Sequence, residues 1–285
     1  MDARARVGLG ALPIVLSTNF FLWFRDDVFA LQLAPLAVIS LGREFLRWNR
    51  DGKNTHIFNR SAFGLSVASI VLIAFHATSL IWGIEVASTL GQPPWINVHV
   101  FLVGLIVQGL FSVTLMTVSA VAALWACGTL FELWTGTYFF IDTNLPIAIF
   151  LGMHLLLTDP ATSPRTNAGR VAYGAAYGVA NVVLFAWLID VAIPEFYDKL
   201  LPVPLLNLCV PLLDRGARQL AGTRWSLGAL ATTPRVNAAE MGCWALSFGL
   251  LWSTGWLAQD HPGKDLALWR KAAQEGKPRA ERNLF

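Results

Sequence analysis

From Val98 to Phe131 the chain reads VHVFLVGLIVQGLFSVTLMTVSAVAALWACGTLF, without one Asp, Glu, Lys or Arg. A helix that crosses a bilayer needs about 20 such residues, because each adds about 1.5 Å across a hydrocarbon core of about 30 Å. The stretch is too long for one crossing, so it predicts two membrane helices with a tight turn near Thr114 and Thr117. Outward from there, apolar runs give candidate spans at 7–23, 28–42, 61–84, 98–115, 117–134, 144–157, 171–190, 200–213 and 237–257. The second, sixth and eighth are short and suit half-helices lining a cavity or helices that enter partway. The expected fold class is all-α: a polytopic membrane protein of about nine transmembrane or half-membrane helices.

Composition agrees. Of 285 residues, 55% are hydrophobic and 14% charged, against roughly 25% charged in a soluble domain. Twelve Trp and eighteen Phe would leave a water-exposed surface covered in apolar patches, which a lipid bilayer accepts. Cys127, Cys209 and Cys243 lie in apolar runs without paired spacing, so neither a disulfide framework nor a thiolate metal site is indicated. Arg4 and Arg6 precede an apolar run, but no small-residue cleavage site follows, which reads as a first membrane helix and not a signal peptide.

Basic residues gather in three loops: Arg43, Arg47, Arg50, Lys53 and Arg60 in 43–60, Arg165 and Arg170 in 158–170, and Arg215, Arg218, Arg224 and Arg235 in 214–236. Loop 85–97 has only Glu85, and 190–199 carries Asp190, Glu195 and Asp198 against Lys199. Nine spans place every basic loop in the cytoplasm and both poor loops outside. The N-terminus is then inside and the tail outside. Nothing in the charge pattern calls for nucleic acid.

The chain divides at about 258: a membrane domain over 1–258 and a polar tail over 259–285. The tail has a helical stripe of Leu266, Trp269, Ala273 and Ala280. Ala272, Ala273, Gly276, Ala280, Asn283 and Leu284 resemble a single Sel-type tetratricopeptide-like repeat. One repeat cannot bury its own face, so an ordered tail must pack on further repeats in a longer chain, on a soluble partner or on the outer surface of the membrane domain, and a partner or further repeats are expected. The alternative is an amphipathic tail helix.

Three segments carry the chemistry. They are Phe58–Gly64 (FNRSAFG), Thr158–Ala175 (TDPATSPRTNAGRVAYGA) and Asn207–Asp214 (NLCVPLLD). Asp159, Thr162 and Ser163 offer side-chain oxygens that cap exposed N–H groups, Thr166 or Asn167 can cap the helix that follows, and Asn59 and Ser61 can cap the third span. Capped helix ends at a membrane surface explain these residues on structural grounds alone. Paired helix N-termini can also present N–H groups and positive dipole ends to an anion such as a flavin phosphate.

In that order the segments resemble the membrane subunit shared by Rnf electron-transport complexes (the D subunit) and sodium-pumping NADH:quinone reductases (the B subunit). The resemblance is specific over 61–84 and 117–213. It implies an inner-membrane subunit of a bacterial redox complex, passing or scaffolding electrons beside other subunits, with helices in two halves of inverted topology. Segments 58–64 and 158–164 are the candidates for matching elements. It also implies FMN, which the family carries through a phosphoester to Thr in a motif of the type Asp/Ser-Gly-Ala-Thr. No such tetrapeptide occurs here, and loop 85–97 is short where it is expected. Covalent attachment is therefore not expected, and noncovalent flavin stays open. Thr117, in Thr117-Val118-Ser119-Ala120, matches another family stretch. The candidate cofactor-binding residues are Asn59, Ser61, Thr117, Asp159, Thr162 and Ser163. The alternative is a flavin-free scaffold or permease-like protein that anchors partners.

His76, His99 and His154 lie at unmatched depths on this map, so no haem is expected. Glu132 and Asp142 flank an outer aromatic belt, and Glu240 sits near the start of the last helix. No catalytic triad, nucleotide-binding glycine loop or metal cluster is evident, so enzyme activity would belong to the complex.

Overall fold

The computed structural model describes residues 12–50, 52–91, 95–220, 222–223, 233–257, 261–277 and 280. Its helices are α1 (Leu12–Phe21), α2 (Leu33–Phe45), α3 (Arg60–Ala74), α4 (Gly83–Leu90), α5 (Ile96–Phe111), α6 (Thr114–Thr135), α7 (Ile147–Gly152), α8 (Asn167–Asp190), α9 (Pro202–Gln219), α10 (Pro234–Ser253) and α11 (Leu266–Gln274). A hairpin of β1 (Arg47–Arg50) and β2 (Lys53–His56) is the one sheet among the described residues. The fold is all-α and polytopic. Four helical stretches are long and apolar enough to cross a membrane: Asp26–Phe45, Thr114–Thr135, Asn167–Asp190 and Phe196–Gln219. Leu102, Ile106, Leu110, Leu130, Leu133, Trp134, Leu246 and Leu250 are exposed, an apolar belt that lipid covers and water would not.

Differences from the expected spans have local causes. The predicted break in the long apolar stretch is real, but falls at Ser112–Val113, where Ser112 takes a left-handed conformation (φ 53) and closes α5. The span expected over 61–84 is shorter. Its helix ends at Ala74, His76 turns left-handed (φ 52), and a 3₁₀ turn over Thr78–Leu80 leads to α4. The sixth span is α7 continued by a π-helical turn, Met153–Leu157. Part of the first span, residues 7–11, lies outside the described residues.

Small residues set the central packing. Gly174 and Gly178, one turn apart on α8, press on the α6 backbone: a Cβ at Gly174 would stand 2.1 Å from the Met116 carbonyl oxygen, and one at Gly178 2.5 Å from that of Ala120. This is the small-xxx-small contact by which membrane helices approach closely. The starts of α3 and α8 meet at one face, so segments 58–64 and 158–164 stand side by side. The helices α5 and α10 pack antiparallel. Asn97 Nδ2 donates to the Leu257 carbonyl beyond the end of α10 (3.4 Å), and Asn237 Nδ2 donates to the Gln108 carbonyl near the end of α5 (3.0 Å).

The tail is seated on the membrane domain. Trp269, Ala272 and Ala280 are buried with Tyr138 and Ile141 from the loop after α6, and the Trp269 indole donates to the Gly263 carbonyl. The face expected to stack on a partner is thus covered by the chain's own loop, while Leu266 stays exposed.

Candidate functional site

Residues 43–60, 158–170 and α9 from Asn207 to Asp214 converge at the start of α3 and α8. Asn59 caps α3: its Oδ1 accepts from Ala62 N (3.0 Å) and its Nδ2 donates to the Leu156 carbonyl (2.9 Å). Its own N–H donates to Asn207 Oδ1 (2.9 Å). Asn207 Nδ2 in turn reaches Tyr173 Oη (2.7 Å) and the Thr162 carbonyl (3.2 Å). Asn207 is fully buried, so one side chain joins α3, α8, α9 and the loop before α8.

Seven residues on, Asp214 does the corresponding work for α8. Its Oδ1 accepts from Arg165 N (3.0 Å), Thr166 N (3.0 Å) and Thr166 Oγ1 (2.8 Å). Thr166 caps the helix through Gly169 N (3.2 Å). Arg50, brought in by the hairpin, pairs with Asp214 and donates to the Ser163 carbonyl (2.9 Å), with both charged side chains buried. Arg50 was counted only as one charge of the basic loop 43–60. Hairpin formation instead turns it inward, where Asp214 compensates its charge. Arg170 extends the set to α5, through the Ser112 carbonyl (2.8 Å). On the hairpin, burial first, then Arg60, Arg47 and Arg43, hold the His56 imidazole below its usual pKa.

Asp159 orders its own loop, accepting from Ala161 N (3.0 Å) and Thr162 Oγ1 (3.0 Å). Thr162 and Ser163 are buried, and the Ser163 hydroxyl has no partner. Ser61 is tied sideways, taking a hydrogen bond from Ser17 on α1 (2.6 Å). Thr117 is buried in α6 with its hydroxyl unpartnered, and no described hydrogen bond links it to the set. So Asn59, Asp159, Thr162 and Ser163 come together, while Ser61 and Thr117 stand apart. The sequence reading missed Arg50, Tyr173, Asn207 and Asp214 as members. For the last two a signal existed: a seven-residue spacing puts an Asn and an Asp on one helix face.

The same geometry bears on a phosphate. The N–H groups of Arg165 and Thr166, just before α8, are taken by the Asp214 carboxylate, Gly169 N by Thr166 and Ala161 N by Asp159. Those four N–H groups are not open to a flavin phosphate in this arrangement. Among the described residues no group of three or more His, Cys, Asp and Glu could hold a metal ion. His99 Nδ1 lies 2.7 Å from the Trp95 carbonyl. His154 packs on Gly104 and edge-on to Phe150.

Asp198 and Lys199, read as part of the loop 190–199, are buried (2% and 5% exposed). They lie on a 3₁₀ segment, Glu195–Lys199, folded in between α8 and α9.

Comparison with known proteins places this architecture. The chain is 32% identical over 128 residues to the D subunit of the ion-translocating oxidoreductase complex of Aliivibrio salmonicida, covering 42% of this chain and 34% of that protein. It is 41% identical over 68 residues to the D subunit of the same complex from Erwinia tasmaniensis (24% and 18%). With the B subunit of the Na(+)-translocating NADH-quinone reductase of Chlamydia pneumoniae it shares 27% identity over 211 residues (67% and 39%). The matched part thus spans less than two fifths of each relative's own length. No solved structure matches the chain. The profile of the NQR2, RnfD, RnfE family covers residues 8–221, which include every helix of the interlock just described, and the chain belongs to that family.

Proposed function

We propose that the chain is an integral membrane subunit of an ion-translocating electron-transfer complex in a bacterial inner membrane, where it scaffolds the path of electrons beside other subunits. The observation that carries this reading is the buried interlock of Asn59, Asn207, Tyr173, Arg50 and Asp214, built from the segments that the family profile matches. It locks α3, α8, α9 and the basic hairpin into one rigid face. A rigid face suits a subunit that holds redox partners at fixed separation.

A flavin enters this reading only noncovalently and away from the N–H groups of Ala161, Arg165, Thr166 and Gly169, which side chains of the chain already hold. Asn59, Ser61, Thr117, Asp159, Thr162 and Ser163 are then structural first. The second reading, a flavin-free scaffold, draws support from the same closed geometry. Affinity purification from native membranes tests the function: redox subunits should co-purify and carry electron transfer. Purification without redox partners, with unchanged membrane electron transfer after deletion, would remove the proposal. The visible spectrum of the purified chain then decides the flavin.

A further inference from the structure

At the end of α2 the chain passes from an apolar stripe to a basic cluster within a few residues. Leu33, Ala37, Leu41 and Phe45 recur at every fourth position, all four are exposed, and Phe45 is 78% exposed. Residues at that spacing share one face of a helix. The stripe belongs to a stretch long enough to cross a membrane, so it lies against lipid tails. Where it stops, the charge begins: Arg43 in the last turn of α2, Arg47 on β1 and Arg60 at the start of α3.

Packing draws these three arginines to one place. A Cβ on Gly42 would stand 2.9 Å from the Phe63 ring, so the end of α2 lies against the start of α3. Ile57 N donates to the Leu46 carbonyl (3.1 Å), which folds the hairpin back onto the same point. Arg47 Nε donates to the Arg43 carbonyl (2.9 Å), and Arg47 stands directly across the hairpin from His56. Burial first, then Arg60, Arg47 and Arg43, push the His56 imidazole down, against the pull of Asp159; the three guanidinium fields overlap there. Their compensation is thin. Glu44 lies 3.9 Å from Arg43 and 4.0 Å from Arg47, itself well exposed, and Arg60 pairs with no carboxylate among the described residues. Arg50, by contrast, is matched by Asp214.

We propose that the end of α2, the hairpin and the start of α3 form a headgroup site for an anionic phospholipid, with Arg43, Arg47 and Arg60 holding the phosphate and the tails lying along Leu41 and Phe45. Guanidinium forks match phosphate oxygens, and basic clusters where a span leaves the membrane attract anionic lipids. A lipid meets both features at once. A soluble phosphate or an acidic peptide would use the arginines and leave the apolar stripe unused. The site spends none of the side chains of the Asn59, Asn207 and Asp214 interlock, and its occupancy requires no redox partner.

The experiment titrates the full chain, in neutral detergent, with dioleoyl phosphatidylglycerol and counts bound lipid by native mass spectrometry. Dioleoyl phosphatidylcholine, with the same tails and no net charge, is the reference. Each basic residue near an anionic lipid is worth about fivefold, so wild type should favour phosphatidylglycerol by at least about tenfold. The triple variant Arg43→Gln, Arg47→Gln, Arg60→Gln should lose that preference. Removing the same charge from another basic stretch, with Arg215→Gln, Arg218→Gln and Arg235→Gln, all exposed, should leave it intact. Wild type alone gives a second reading: in 1 M ammonium acetate, where screening acts over about 3 Å, the preference should collapse. Equal affinity for the two lipids, equal loss in both triple variants, or a preference that survives the salt overturns the proposal. So does displacement of the lipid at equal concentration by glycerol 3-phosphate, which would mark a soluble-phosphate site, or by decaglutamate, which would mark a protein-docking face.

Discussion

Asp159 and Asp214 bracket the same loop, yet they carry unequal loads. Asp159 is partly exposed and holds one backbone N–H and one hydroxyl of its own turn, so Asp159→Ala should cost about 1 kcal/mol, the worth of a cap. Asp214 is buried, caps the start of α8 and neutralises buried Arg50. Asp214→Asn strands that guanidinium and should cost about 3–5 kcal/mol. Adding Arg50→Met should recover a good part of that loss. Thermal unfolding of the three variants in detergent checks the order, and a double variant no better than Asp214→Asn would show that the caps, not the charge, dominate. The capping residues could be read from sequence because Asn59, Asp159 and Thr166 act on N–H groups two or three residues away. Arg50 could not, because its partner lies 164 residues on and its loop composition reads as a solvated basic stretch.

Helix contacts repeat the contrast between local signal and distant cause. The Gly174–Gly178 spacing stands plainly in the sequence, but only the structure shows the α6 backbone pressed on it. A methyl at 174 meets the Met116 carbonyl oxygen at 2.1 Å, so Gly174→Ala should cost about 3 kcal/mol, the upper part of the range for overpacking. Gly128, on the same α6, meets nothing within 4 Å, and Gly128→Ala should leave stability unchanged or gain up to about 1 kcal/mol. Equal melting temperatures for the two variants would mean that α6 and α8 are not locked at this contact. Helix lengths were less legible. The apolar run 61–84 continues past Ala74, so hydropathy predicts one helix. The left-handed turn at His76 closes α3 with Ala77 N donating to the Leu72 carbonyl (2.8 Å), and the chain beyond it is held by Trp82 N on the Trp23 carbonyl in the loop after α1 (2.8 Å). The buried Asp198–Lys199 segment escaped for the same reason, since charge and two prolines spell an exposed loop.

At the scale of the molecule, the tail and the interlock lie at opposite ends of α6, α8 and α10. The end of α10 and the loop 136–146 meet the tail, through Asn144 Nδ2 to the Trp256 carbonyl (3.2 Å) and His261 Nε2 beside Asn144 Oδ1 (3.2 Å). The basic face at Arg50 and Arg165 should therefore label with membrane-impermeant reagents from the cytoplasm, and the tail from the outside. Cysteines placed at Arg165 and Gly276 that label from one side would refute the arrangement. The docking itself should respond to acid, and the sign follows from His261. In the neutral ring Nδ1 accepts from Gly263 N (3.1 Å), with the Ile141 carbonyl also 3.0 Å away, while Nε2 faces Asn144 Oδ1. Burial holds its pKa below 6.5, outweighing the Ile141 carbonyl and the charges of Glu132 and Asp142, which pull the other way. The undocked tail then binds more protons than the docked one as pH falls below 6.5, so docking is complete above that value and is lost progressively below it. Trp269, buried in the docked state, reports the change: its emission should shift to the red as pH falls below 6.5, with faster proteolysis after α10. His261→Gln keeps the shape, removes the titration and should flatten both profiles. If the variant tracks wild type across that range, another group governs the tail.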